Sequence, residues 1–165
     1  MIKIYLAGAI RDDHPEDIEW REEFIRTLKD IAVIFNPLAG KVFDAEKKKW
    51  HLYGHSASGE MIVPHDFWMV EKSDIIVFNF LALAEGYPNI GTLVEFGHAT
   101  TGSALIYSII PKGYTGHGNL SQFKLHPFLS KNSAMIFQGT DSCLEFLIQR
   151  IQSLNGSKPE FGGSA

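Results

Sequence analysis

Short apolar runs alternate along this chain with segments whose apolar residues recur at helical spacing. Ile2 to Ala7 is a β-branched and aromatic run ending in Gly8, which predicts a first strand feeding a turn. From Pro15 to Asp30, Ile18, Ile25 and Leu28 share one helical face with Phe24 and Ile31 beside them. Glu16, Asp17 and Glu19 fall in the first turn of that helix, where they suit its dipole. Ala32 to Phe35 precedes Asn36-Pro37 and predicts a second strand, because the residue before proline is pushed out of helical geometry. Leu38 to Ile62 shows no sustained periodicity and reads as a long loop, with at most a helical turn around Ala45 to Lys49.

After Pro64 a helix is predicted over His65 to Lys72, leading into Asp74 to Phe80, the most strand-like segment and the expected sheet centre. The nearly apolar run Ile75 to Ala84, broken by Asn79, is too short to cross a bilayer and reads as buried strand. Gly86 to Gly91 is turn-rich, Thr92 to Gly102 reads as a helix, and Ser103 to Ile110 as a fourth strand stopped by Pro111. Lys112 to Pro127 is irregular, Ser133 to Gln138 is a fifth strand, and Asp141 to Leu154 is a closing helix with Leu144, Leu147, Ile148, Ile151 and Leu154 on one face. The chain therefore divides into a single domain, 1–154, and a glycine- and serine-rich tail, 155–165, expected to fray.

Strands alternating with helices imply right-handed crossovers, and the expected fold is α/β and flavodoxin-like, a five-stranded parallel sheet with helices on both faces. Ligands bind such sheets outside the carboxyl ends of the strands, where strand order reverses. Here that selects the loops Gly8 to His14 and Leu81 to Gly91.

Composition narrows the partners. A chain of 165 residues with a formal net charge of −4 offers no electrostatic footprint for a nucleic-acid polymer or an anionic membrane. Cys143 is the single cysteine, so no intramolecular disulfide forms and multi-thiolate zinc sites are excluded. The amino terminus carries no basic leader or secretory apolar block, and the expected home is the cytoplasm.

The first loop lacks the GxGxxG and Walker patterns, so no dinucleotide or nucleoside triphosphate held in the usual way is expected. Arg11 in that loop either holds an anion bidentately or is a solvated arginine paired with Asp12 or Asp13. In the second loop Thr92 and Glu95 have the spacing of a capping box, yet a carboxylate at this crevice is also placed to act as a nucleophile or base. Asp66 is either a second carboxylate on the crevice, where a pair of them suits displacement at a glycosidic bond, or a helix-terminal charge. His51, His55 and His65 lack clean ligand spacing, and no metal is expected. Trp50, Tyr53, Phe67 and Trp68 either stack on a planar base or belong to the core.

Tyr5-Leu6-Ala7-Gly8, then Asp66 before Ser73-Asp74-Ile75-Ile76-Val77, then Gly91-Thr92-Leu93-Val94-Glu95-Phe96-Gly97-His98-Ala99, resemble the nucleoside 2-deoxyribosyltransferase family. The resemblance implies a cofactor-free homo-oligomer that moves a 2-deoxyribosyl group between purine or pyrimidine bases. It makes Glu95 the nucleophile, Tyr5 its hydrogen-bonding partner, and Asp66 the group that binds or protonates the leaving base. Gly8, Ala9, Arg11, Asn89 and Gly91 would contact substrate, and Asn119 and Ser121 would reach the 5′ end of the sugar in a neighbouring subunit. Asn89 departs from the aspartate the transferases commonly carry there. A sister group, the 2′-deoxynucleoside 5′-monophosphate N-glycosidases, shares Tyr5-x-x-Gly8-x-Ile10-Arg11, and Ser121 also fits it, whereas Ala9 and Asn89 do not. The acidic pair Asp12-Asp13 beside Arg11 tips the expectation towards free nucleosides. A non-catalytic nucleotide-sensing module is the alternative from outside enzymology, since one fold hosts many functions.

Overall fold

The structure is a computed structural model that describes residues 1–11, 13–44, 46, 49–52, 55–56, 59–111 and 127–156. Its main sheet contains β1 (Ile2–Gly8), β2 (Ala32–Phe35), β6 (Ile75–Asn79), β7 (Leu105–Ile110) and β8 (Met135–Gln138) in the order β2-β1-β6-β7-β8. Every pairing in it is parallel. The expected flavodoxin-like sheet is present, with the fully buried β6 at its centre. Strand order reverses between β1 and β6, which is where such sheets leave a crevice.

Side-chain alternation along β1 divides the core in two. Ile4 and Leu6 pack with Trp20, Phe24 and Leu28 of α1 (Glu16–Leu28) and with Cys143, Leu147 and Ile151 of α6 (Thr140–Gly156). Tyr5 and Ala7 turn to the other face, against Met69 and Val70 of α2 (Gly59–Glu71) and Phe96 and Ala99 of α4 (Ile90–Ala99). A strand presents successive residues to opposite faces, so burying Leu6 under α1 commits Tyr5 to the side of α4.

The buried face of α1 differs from the expected one. It carries Asp17, Trp20, Arg21, Phe24 and Leu28, while Ile18 is more than one-third exposed. A polar anchor rotates the helix: Arg21 is fully buried and donates to the backbone carbonyls of Leu6 at 3.2 Å, Ala9 at 3.0 Å and Gly8 at 2.7 Å, and to that of Asp17. Its guanidinium also lies 4.8 Å from the Trp20 ring centroid. Burial lowers the Arg21 pKa to about 10, still charged at neutral pH. These bonds hold the turn after β1, and they explain the glycine there. A methyl group at Gly8 would lie 3.2 Å from Arg21 Nη2 and from Asn79 Cβ, neighbours that cannot retreat.

The segment expected to be a loop is structured. β3 (Lys41–Asp44), β4 (Lys49–Leu52) and β5 (His55–Ser56) form a separate antiparallel sheet, with Val42 opposite His51 and Leu52 opposite both Lys41 and His55. Gly40, at a φ of 75°, turns the chain into β3, a conformation that costs a side-chain-bearing residue strain. The helical turn expected near Lys49 is therefore strand at its described end. Helix α2 starts at Gly59 rather than after Pro64, which sits inside it and forgoes one backbone bond. The apolar run beyond Asn79 is not strand. Asn79 Oδ1 accepts at 3.0 Å from the N–H of Leu81, the first residue of the short α3 (Leu81–Ala84). A further helix, α5 (Pro127–Asn132), precedes β8, and α6 continues to Gly156, beyond the predicted end at Leu154. The rest of the tail, 157–165, lies outside the described residues. Among the described residues no helix is long and apolar enough to cross a membrane.

Two substitutions test the anchor. Arg21→Lys replaces a fork reaching four carbonyls with one ammonium and should lower unfolding free energy by at least about 2 kcal/mol, since each abandoned buried acceptor costs about 1–3 kcal/mol. Gly8→Ala should cost about 1–3 kcal/mol through overpacking. Urea denaturation of both variants checks this, and losses under about 0.5 kcal/mol would show that the turn is not held as described.

Candidate active site

A cavity of about 430 Å³ opens at the carboxyl end of β1, beside the approach to α4. Gly8 lines it from the end of β1, Ile10 from the turn after it, Lys41 from β3, Asp66 from α2, and Asn89, Gly91 and Glu95 from α4 and its approach. Its size suits one small organic ligand, which binds in clefts of about 300–1,000 Å³.

The Tyr5 hydroxyl donates to Glu95 Oε1 at 2.8 Å and is fully buried. Burial, followed by the charges of Glu95 and Asp66, raises the Tyr5 pKa well above its ordinary value, so the phenol remains a donor. Glu95 is pushed up to about 7, chiefly by burial. The Tyr5 hydrogen bond opposes that rise, Asp66 adds to it, and Lys41 and Arg21 resist it. The phenol thus favours the charged carboxylate, but burial outweighs it. Glu95 does not cap its helix. Helix α4 begins at Ile90, Thr92 lies inside it, and the Thr92 hydroxyl donates to Asn89 Oδ1 at 2.8 Å.

Asp66 lies on α2 with its carboxylate gripped by Lys41, whose Nζ donates to both oxygens at 2.7 Å. Both side chains are largely buried, Lys41 5% and Asp66 13% exposed, and His65 Nδ1 lies 3.1 Å from Asp66 Oδ1. Sequence reasoning did not find Lys41. A lone lysine after Gly40 carries no motif, and only the second sheet brings it to α2.

Asn89 is buried immediately before α4. Its Oδ1 accepts from Thr92, while Nδ2 is a buried donor with no acceptor among the described residues. A buried polar atom without a partner costs about 1–3 kcal/mol, which an acceptor oxygen on a ligand would recover.

The Arg11 side chain is largely buried, and its hydrogen-bond partners among the described residues are Asp17 and Glu85 rather than Asp13, while Asp12 lies outside the described residues. Nε and Nη2 hold the two oxygens of Asp17 at 2.7 and 2.8 Å, and Nη1 reaches Glu85 at 2.9 Å. The guanidinium lies 5.3 Å from the centroid of the Tyr87 ring, and bonding to Asp17 raises its pKa further above an already high value. Arg11 is outside the cavity lining, as is Ala9, whose carbonyl is held by Arg21. Phe67 stacks on His98 at 4.1 Å and Trp68 leans on Phe35 at 5.6 Å, and neither lines the cavity, where among the described residues Tyr87 is the aromatic lining residue. Tyr53, Asn119 and Ser121 lie outside the described residues, as does the side chain of Trp50. Among the described residues, His14, Glu16 and Glu85 have ligand atoms close enough together for a metal ion, away from the cavity, with Glu85 and Glu16 also 2.9 and 3.6 Å from Arg11.

No protein-family model matches this sequence, and no curated protein matches it significantly. Solved structures do. A conserved protein from Enterococcus faecalis V583 superposes with a TM-score of 0.64 at 16% identity, over 91% of this chain and 99% of its own. A 2-deoxyribosyltransferase from Bacillus psychrosaccharolyticus gives 0.60 at 17% identity, over 90% and 95%. The CMP N-glycosidase BcmB from Clostridium botulinum gives 0.54 at 14% identity, over 90% and 98%. The chain is similar in fold, over nearly its whole length, to a 2-deoxyribosyltransferase and to a nucleotide N-glycosidase.

Proposed function

We propose that this chain is an enzyme that exchanges the base of 2′-deoxynucleosides, with Glu95 as nucleophile. The observation that carries the reading is the Tyr5–Glu95 hydrogen bond of 2.8 Å at a cavity that a second carboxylate, Asp66, also lines. The fold it shares with a 2-deoxyribosyltransferase supports it.

A Glu95 carboxylate oxygen attacks the anomeric carbon as the carbon–nitrogen bond breaks. The electron pair leaves on the base, and a covalent deoxyribosyl-Glu95 forms. A ring nitrogen of a second base then attacks the same carbon from the vacated side and releases Glu95. Two inversions retain configuration, as in glycosidases whose carboxylate is a nucleophile. Tyr5 fixes the carboxylate in line, and Asp66 binds the base. Substrates are 2′-deoxynucleosides and free purine or pyrimidine bases, with no cofactor.

Arg11 favours the free nucleoside over the 5′-monophosphate, because its guanidinium is saturated by Asp17 and Glu85 outside the cavity. The unpartnered Asn89 Nδ2 suits a neutral acceptor oxygen on the substrate.

Incubating deoxyinosine with adenine and enzyme should give deoxyadenosine by mass spectrometry, and Glu95→Ala should lower its rate by at least about a thousandfold, the order of losing a covalent nucleophile. Free hypoxanthine formed only from deoxyinosine 5′-monophosphate would make the enzyme a nucleotide hydrolase instead. Because Glu95 must be ionised to attack and is pushed up to about 7, kcat/KM should fall about tenfold per pH unit below that value. Stability should show the same group with the opposite dependence. A carboxyl raised in the folded state contributes most below its unfolded value, and that contribution is lost as pH rises through about 7. Glu95→Gln should therefore gain in melting temperature relative to wild type between pH 5 and 8, and a constant difference across that range would contradict the buried charge.

A further inference from the structure

Two carboxylates lining one cavity each disfavour the charge of the other. Here a third charged group intervenes. Lys41 on β3 spans both oxygens of Asp66 at 2.7 Å, is 5% exposed, and lines the same cavity as Asp66 and Glu95. A lysine this buried is rarely incidental.

We propose that Lys41 is a positioning residue of this site, fixing Asp66 as a hydrogen-bond acceptor and offsetting part of the repulsion that Asp66 exerts on Glu95. The proposal rests on Glu95 being the nucleophile. It also narrows the part played by Asp66. A carboxylate bridged by an ammonium accepts hydrogen bonds and has no proton to give. Asp66 then orients the base by accepting from an N–H on it, the departing ring nitrogen takes a proton from water in the open cavity, and the hydroxide left takes the ring N–H proton of the incoming base, so the exchange is proton-neutral. The preferred base is one that presents an N–H to Asp66.

Among the described residues, the groups on surrounding elements whose charge or hydrogen bonding acts on Glu95 are Tyr5 on β1, Arg21 on α1, Lys41 on β3 and Asp66 on α2. On its own helix, His98 turns instead to Glu71, at 3.1 Å. Asp66 pushes Glu95 towards its protonated form, while Tyr5, Lys41 and Arg21 push the other way. Arg21 is committed to backbone carbonyls, which leaves Lys41 as the cation matched to Asp66.

The test is a carbon-13 NMR titration of the Glu95 side-chain carboxyl in wild type, Lys41→Arg, Lys41→Met, Asp66→Asn and the double variant Lys41→Met with Asp66→Asn. Lys41→Met should raise the Glu95 midpoint by about one unit or more, Asp66→Asn should lower it, and Lys41→Arg should stay near wild type. The double variant should return close to wild type, because neither the repulsion nor its compensation is left. That variant holds no unpaired buried charge, so it still reports if Lys41→Met fails to fold. A Glu95 midpoint unmoved in Lys41→Met, or a double variant displaced by more than one unit from wild type, overturns the proposal. If the midpoints move as expected but wild type exchanges no bases, the nucleophile reading fails and takes the positioning role with it, while the electrostatic coupling of Lys41 and Asp66 to Glu95 is upheld.

Discussion

The arrangement depends on one hydrogen bond, from the buried Tyr5 hydroxyl to Glu95. A carboxylate drawn into a crevice loses hydration and tends to take up a proton, which would disable it as a nucleophile. The phenol replaces part of the lost water and sets the direction of the oxygen it holds. It can do so because β1 alternates: Leu6 is buried beneath α1, so Tyr5 emerges beneath α4. The hydrophobic division of the core and the orientation of the Glu95 carboxylate are thus one constraint, and slipping β1 by one residue would turn Tyr5 away from Glu95.

Charge balance around that bond is distributed over four elements. Arg21 ties the turn after β1 to α1 through backbone carbonyls and lends positive potential to the crevice without touching Glu95. Lys41 arrives on a second sheet, and its partner Asp66 on the helix that follows that sheet. Arg11 serves the periphery. It joins α1 to the loop after α3 through Asp17 and Glu85 and packs on Tyr87, so it shapes the wall from behind. Two arginines close in sequence therefore do different work, one beneath the turn and one behind the loop.

Much of this was legible in the chain itself. The five strands of the parallel sheet came from short apolar runs, and the crevice from the reversal of strand order, because buried parallel strands leave a strong signal. The Gly91 to Ala99 motif marked Glu95, and Tyr5 came with it. The second sheet was not legible: strands of four, four and two residues are too short for alternation to stand out, and Lys41 and Lys49 are polar residues at strand starts. Pro64 suggested a helix start, whereas α2 absorbs it in mid-course. Lys41 could not be anticipated because its role exists only in three dimensions, 25 residues from its partner. The role of Arg11 was open between anion and solvent, and two carboxylates supplied by different elements took both places.

The central claim is that Glu95 forms a bond to the sugar. Rapid acid quenching of the enzyme with a 2′-deoxynucleoside and no acceptor base, followed by intact-protein and peptide mass spectrometry, reads that bond directly. The account predicts an added mass of one deoxyribosyl group, mapped to the peptide bearing Glu95 and discharged on addition of a free base. Turnover of the nucleoside with no adduct at any quench time, or an adduct on another residue, would contradict it.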